Sequence, residues 1–382
     1  YTFTPGADFD ALAAGESRDV TFTYTATDND GGVSAPQTVT ITVTGTNDAP
    51  LAVADTQTTG ENTVLTGQVP AATDVDGTIA GYELATDVGA GNGSLSFNSD
   101  GSYTFTPGTD FDALPAGQSR NVTFTYTATD NDGGVSAPQT VTITVTGTND
   151  APVAKADTGS TGENTTLTVT AANGVLANDS DVDGGTLSVS AVNGTAGSVG
   201  TAIAGSNGGT FTLNADGSYS FNPGTAFDRL VAGQTDTTQV SYTVSDGQGG
   251  TATSTLTITV TGTNDVPVAK ADTGSTGENT TLTVNAANGV LANDSDVDGG
   301  TLSVSAVNGT AASVGTAIAG SNGGTFTLNA DGSYSFNPGT AFDRLAAGQT
   351  DTTQISYTVS DGQGGTATST LTVTVTGTND AP

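Results

Sequence analysis

QTVTITVTGTND, residues Gln139–Asp150, holds two signals that together decide the fold. Its first eight residues alternate, so a period of two sets Val141, Ile143 and Val145 on one face and threonines on the other, the pattern of a half-buried β-strand. Its last five, Thr-Gly-Thr-Asn-Asp, occur at 44–48, 146–150, 261–265 and 376–380, at spacings of 102, 115 and 115 residues. The chain is therefore a tandem array: residues 1–48 are the C-terminal half of one repeat, followed by repeats at 49–150, 151–265 and 266–382. A period near 110 residues is one domain per repeat, beyond the 20–50 residues of a solenoid.

The pattern is β throughout. Val122–Ala128, Val240–Val244 and Thr255–Thr261 alternate in the same way, and Asn214-Ala-Asp-Gly217 separates two strand-like runs as a hairpin turn would, with Asp100-Gly101 and Asp331-Gly332 at matching places. Helix start and stop signals are not found. About seven short strands in 100–115 residues predict an all-β chain, a tandem array of immunoglobulin-like Greek-key β-sandwich modules. The extra residues of the longer repeats, Val199–Asn207 among them, read as an enlarged loop or an added hairpin.

Repeats 151–265 and 266–380 differ at six positions, and 1–48 differs from 103–150 at four. An enzyme needs one good site, whereas copying whole domains suits a protein whose useful property is length or valency. Tyr1 aligns with Tyr103, inside a repeat, so the chain reads as a window from a longer array. With 39 acidic and six basic residues, a net charge of −33 argues against nucleic acid and anionic lipid as partners. Cys and His are absent, which excludes disulfides, thiolate sites and Ser-His or Cys-His nucleophiles within these residues. No apolar stretch is long enough for a membrane-spanning helix, so direct insertion is not expected.

The acidic residues gather at turns and at the repeat boundaries. Three of the five glutamates stand in a Gly-Glu-Asn triplet, at Glu61, Glu163 and Glu278. A second cluster is Asp74-Val-Asp76-Gly, extended in the longer repeats to Asp179-x-Asp181-x-Asp183 and Asp294-x-Asp296-x-Asp298. A third centres on Asp130, with Asp246 and Asp361 at matching positions, and the boundaries supply Asp48, Asn149-Asp150 and Asn264-Asp265. At about 4 Å and an effective dielectric near 20, each like-charge pair costs roughly 4 kcal/mol, so a crowded seam calls for a cation. Ca²⁺ suits an all-oxygen donor set of carboxylates, amides and carbonyls, while Zn²⁺ lacks its His and Cys ligands. An EF-hand is excluded, because the twelfth position from Asp179 is Ser190. The alternative is a set of Asx-turns that bind nothing.

The run Ala128–Pro152 resembles the end of a cadherin repeat, where an acidic Ala-x-Asp-x-Gly loop precedes the last strand and an Asn-Asp linker ending in proline. Gly-Glu-Asn resembles that family's first glutamate motif, Asp181-Val-Asp183 its Asp-x-Asp loop, and Asp228-Arg229 its Asp-Arg-Glu segment. With so much Thr and Gly, the resemblance is nearer to the cadherin-like and VCBS-type repeats of giant bacterial surface adhesins, often exported by type I secretion (the RTX type). It implies Ca²⁺ between successive domains, held by Glu61, Asp112, Asn149, Asp150, Asp181, Asp183 and Asp246 at one seam. At the next it implies Glu163, Asp228, Asn264, Asp265, Asp296, Asp298 and Asp361, and at the first seam Asp48, Asp74, Asp76 and Asp130. Two departures reduce the expected number to one or two ions per seam. The glutamate of Asp-Arg-Glu is replaced by Leu230 and Leu345, with the arginine also missing at Ala113, and the linker reads Asn-Asp-Ala.

Asp157-Thr-Gly-Ser160 and Asp272-Thr-Gly-Ser275 spell an aspartic-protease signature, but the shorter repeat reads Asp55-Thr-Gln and neither segment follows a buried apolar run. Recurring aromatics such as Phe105, Phe111, Tyr126, Phe221 and Tyr242 read as core. The expected protein is thus a non-enzymatic extender of an extracellular, cell-surface adhesin, each module about 35 Å across by size scaling, stiffened by Ca²⁺ for adhesion or biofilm formation. Its partners would be neighbouring repeats, possible copies in a fibre, and a distal adhesion target. The alternative is a subunit of a self-assembling extracellular filament or matrix, with residues 1–48 completed by strands of another chain.

Overall fold

A computed structural model describes residues 1–379; the last three residues of the 266–382 repeat, the first of which ends its Thr-Gly-Thr-Asn-Asp motif, lie outside the described residues. The described chain is all-β, its helical segments being three-residue 3₁₀ turns. No helix is long and apolar enough to cross a membrane. Two compact units are formed. One comprises Tyr1–Val153 with Ser180–Thr186 and Asp246–Gly250; the other comprises Ala154–Asp179, Leu187–Ser245 and the chain from Thr251 on.

In the first unit, Asp55–Gly60, Gln139–Thr146, Ser119–Asp130 and Ile79–Thr86 form one sheet in that order, and Leu65–Gln68, Ser102–Pro107 and Gly93–Phe97 form another. The first strand runs parallel to the last, Asp55 opposite Val141, and the other pairings are antiparallel. Val141, Ile143 and Val145 are fully buried among Phe105, Phe111, Phe124 and Tyr126, while the alternating threonines face outward. Residues Ser17–Tyr24 and Gln37–Thr44 form a separate two-stranded antiparallel hairpin.

The second unit holds the same two-sheet arrangement twice. Asp157–Gly162, Thr251–Thr261, Thr235–Ser245 and Ser188–Val192 make one sheet, and Leu167–Val169, Tyr219–Asn222, Thr210–Leu213 and Ala202–Ala204 the other. Each of its two apolar clusters has a phenylalanine group at the centre, Phe211, Phe221 and Phe227 in one, Phe326, Phe336 and Phe342 in the other. The extra residues of the longer repeats resolve into an added edge strand, Ala202 pairing with Thr212 and Ala317 with Thr327. The hairpin turns at Gly217, whose φ of 82° a side chain would resist, while Asp216 Oδ1 accepts from the Ser218 amide at 3.0 Å.

The glycine of the repeated motif has a packing reason. A Cβ on Gly147 would lie 2.1 Å from the Leu114 carbonyl, and one on Gly262 would lie 2.2 Å from that of Leu230. Close backbone approach at this point delivers the following Asn-Asp pair at the end of the sandwich.

Candidate cation sites at the repeat seams

Each Asn-Asp pair is fixed by the acidic loops that follow it in sequence. Within the first unit the Asn47 amide donates to Asp130 Oδ2 at 2.9 Å and the Asp48 N–H to Asp76 Oδ2 at 3.1 Å. Asn149 donates to Asp246 Oδ2 at 2.7 Å and the Asp150 N–H to Asp183 Oδ2 at 2.7 Å. In the second unit Asn264 donates to Asp361 Oδ2 at 2.7 Å and the Asp265 N–H to Asp298 Oδ2 at 2.8 Å.

From the other side comes the glutamate of Gly-Glu-Asn. Glu61 Oε1 accepts from the Thr148 N–H and hydroxyl, both at 2.6 Å, Glu163 accepts the same pair from Thr263, and Glu278 from Thr378. These glutamates are almost wholly buried, at 4%, 1% and 1% exposure. Glu61 and Asp112 line one small cleft of about 180 Å³.

One half of each group is satisfied and the other half is not. Glu61 Oε2, Asn149 Oδ1, Asp181 Oδ2 and Asp183 Oδ1 are buried without a hydrogen-bond partner, as are Glu163 Oε2, Asn264 Oδ1, Asp296 Oδ2 and Asp298 Oδ1. Asn47 Oδ1, Asp74 Oδ2 and Asp76 Oδ1 repeat the pattern at the first seam. A buried acceptor left unmet costs about 1–3 kcal/mol, more when charged, so the orphaned Asn and Asp oxygens shared by three seams, joined by a glutamate oxygen at the second and third, form a donor set that suits a cation. All are oxygens, as Ca²⁺ requires. Among the described residues no three His, Cys, Asp or Glu side chains gather into a group that could hold a metal ion by themselves, and an Asn Oδ1 is orphaned beside the carboxylates at every seam.

The seam carboxylates divide electrostatically. Asp130, Asp246 and Asp361 are held below the usual carboxylate range, first by the linker asparagine amide and then by loop N–H groups. Asp150 is pushed up by desolvation and by Asp183, Glu61, Asp112 and Asp181; Asp265 is pushed up by desolvation, Glu163, Asp298 and Asp228. Asp76 is likewise raised by desolvation and Asp74. The crowding thus falls on the linker aspartates Asp150 and Asp265 and, at the first seam, on the loop carboxylate Asp76.

The threefold Asp-x-Asp-x-Asp spacing is divided. Asp181 Oδ1 accepts from the Asp183 N–H at 3.0 Å beside the seam, whereas Asp179 Oδ1 accepts from the Lys155 N–H at 2.7 Å, its Oδ2 being buried without a partner. Asp294 does the same with Lys270. Asn47 matches Asn149 yet was not among the sequence candidates, and Glu278, singled out with Glu61 and Glu163 in the Gly-Glu-Asn triplet, was assigned to no seam; repeat arithmetic alone locates both.

The profile of the bacterial cadherin-like domain matches residues 47–147, 149–262 and 264–377. No curated protein sequence matches the chain. Among solved structures, protocadherin gamma B2 extracellular cadherin domains 1–5 is similar at a TM-score of 0.56 and 14% identity, covering 96% of this chain and 74% of that one. Mouse cadherin-23 EC22–24 is similar at a TM-score of 0.51 and 15% identity, covering 87% of this chain and 100% of that one. At such identities the likeness is one of fold. The profile, matched three times over most of the sequence, shows that the chain belongs to the bacterial cadherin-like domain family.

Proposed function

We propose that the chain is a non-enzymatic extender region of a large bacterial surface adhesin, of the VCBS-type, type I-secreted class, with 49–150, 151–265 and 266–382 as its domains. Ca²⁺ at the seams turns a flexible string of sandwiches into a stiff rod that displays a distal binding function outside the cell, in adhesion or biofilm formation. The observation that carries this reading is the recurrence of the same orphaned oxygens at two successive seams, Glu61 Oε2, Asn149 Oδ1, Asp181 Oδ2 and Asp183 Oδ1 in one and their counterparts in the next. When bound, the ion supplies the positive charge that these oxygens face; the protein contributes their placement, through Thr148, Thr263 and the linker amides.

The test is melting of the chain with calcium and with chelator. At a hundredfold excess over Kd, each site adds about 2.7 kcal/mol to the folded state, so calcium should raise the melting temperature clearly. Asp298→Ala should abolish the share owed to its own seam. Small-angle scattering should show a smaller maximum dimension after chelation. Superimposable melting curves, with no ion bound, would overturn the reading.

A further inference from the structure

Asp157 and Asp272 head the two Asp-Thr-Gly-Ser segments, and the seams make no use of them. Asp157 begins the edge strand Asp157–Gly162 and is half-buried. Its Oδ1 accepts from the Asn178 amide at 3.1 Å, and its Oδ2 lies 2.5 Å from the hydroxyl of Tyr242, a side chain only 1% exposed. That hydroxyl is also 2.9 Å from the Lys155 carbonyl and 3.4 Å from the Val175 carbonyl.

The proton count is the argument. A phenol has one proton to donate, and Tyr242 faces three acceptors; the Ser254 hydroxyl, which also bonds to the phenol oxygen, meets none of them. The two carbonyls can never supply another proton; Asp157 can. If Asp157 is ionised, either its oxygen or that of Lys155 faces the phenol oxygen at hydrogen-bond distance with no proton between them. If it is protonated, Asp157 donates to Tyr242, Tyr242 donates to Lys155, and both contacts are satisfied. Tyr357 repeats the geometry, 2.6 Å from Asp272, 2.8 Å from the Lys270 carbonyl and 3.3 Å from that of Val290.

The surroundings favour the neutral form. Burial is the largest influence raising Asp157, and Asp179 adds repulsion against the opposing hydrogen bonds from Tyr242 and Asn178. The Lys155 charge bears on Asp179, and Tyr219 faces Asp157 from the other sheet. Asp272 stands in the same relation to Asp294, Tyr357 and Asn293. Repeat 49–150 provides a contrast within the chain. There Tyr126 donates only to the Val53 carbonyl, at 2.6 Å, while Asp55 Oδ2 takes the Gln57 amide at 2.8 Å, and Ala72 stands where Asp179 does.

We propose that Asp157 and Asp272 stand in the folded protein as neutral carboxylic acids, each donating its proton to a tyrosine hydroxyl. The two longer repeats then carry a proton-set latch, which repeat 49–150 lacks, on their first edge strand. Folding raises the affinity of these carboxyls for their protons. The latch therefore contributes fully below the unfolded carboxylate value, and its contribution is lost as pH rises through the higher folded value.

The experiment is infrared difference spectroscopy of the chain against Asp157→Asn/Asp272→Asn in saturating calcium, with melting followed across pH. A protonated-carboxyl band that persists above the ordinary carboxylate range in the unmodified chain, and is missing from the variant, is the expected result. The variant should also keep the melting temperature of the acid form and lose the fall at higher pH, whereas Asp55→Asn should leave that fall in place. The proposal is overturned if no such band exists in the unmodified chain, or if the variant melts lower by the same amount at every pH. Because the band is read on the native chain, it decides the matter even where a variant fails to fold.

Discussion

Repeat 49–150 and the two longer repeats build the same sandwich with different local solutions. In the shorter one Arg120 lies over the Phe111 ring, its Cζ 4.1 Å from the centroid; in the longer ones the cation over the matching ring comes from Arg229, 5.9 Å from Phe227. The Arg120 position opposite Val145 is taken by Asp236 opposite Val260, and Asp236 pairs with Arg229 at 2.5 Å. The first strand is tied by Tyr126 to one carbonyl in the shorter repeat and by Tyr242 to a carbonyl and a carboxyl in the longer. The comparison teaches that the core and the seam repeat faithfully while the ties between them are exchangeable.

The largest effect should come from the part that does not vary. Phe105 and Phe221 occupy the same register, opposite Leu65 and Leu167, and both are fully buried. Replacing either with alanine should destabilise its own repeat by about 3–5 kcal/mol. Phe221 also meets Phe211 at 4.6 Å and Phe227 at 6.3 Å, so its loss should exceed that of Phe105 by roughly 1 kcal/mol. Hydrogen exchange resolved by repeat would measure both, and a gap in the opposite direction would break the idea of a shared core.

A middle-sized effect separates the strand ties. Tyr126→Phe removes one part-buried hydrogen bond, a loss of about 0.5–1.5 kcal/mol, and Tyr242→Phe removes the Lys155 carbonyl contact together with the Asp157 contact. Exchange along Asp157–Gly162 should therefore accelerate more than along Asp55–Gly60. Equal acceleration would mean that the carboxyl adds nothing to the tie.

These differences also mark what the sequence could convey. Alternation in Gln139–Thr146 and the Asn-Ala-Asp-Gly turn are local signals, and the strands and hairpin formed where they stand. The seam oxygens could be named because the motif repeats, although the acidic triple proved to be shared out, Asp179 turning to Lys155. The added strand Ala202–Ala204 was legible only as a choice between loop and hairpin, since a three-residue strand within four residues between glycines carries no period. The parallel pairing of Asp157–Gly162 with Leu256–Thr261, and the meeting of Asp157 with Tyr242 across 85 residues, depend on chain topology that no local window contains.

The smallest effect gives the sharpest test of exchangeability. Arg229 is about half exposed, 55% at its side chain, so its pair with Asp236 is a surface ion pair of roughly 0.2–1 kcal/mol, and its ring contact adds a similar amount. Arg120→Asp in the shorter repeat removes the cation over Phe111 and adds a carboxylate without its partner, a loss of about 1 kcal/mol. Adding Ala113→Arg places a guanidinium where Arg229 stands in the longer repeat and restores both contacts. The double variant should therefore return to within a few tenths of a kcal/mol of the parent, read as a double-mutant cycle in denaturant. A cycle with no coupling would mean that the two arrangements are tied to their own backbones, and that the longer repeats differ from the shorter one in more than the choice of side chains.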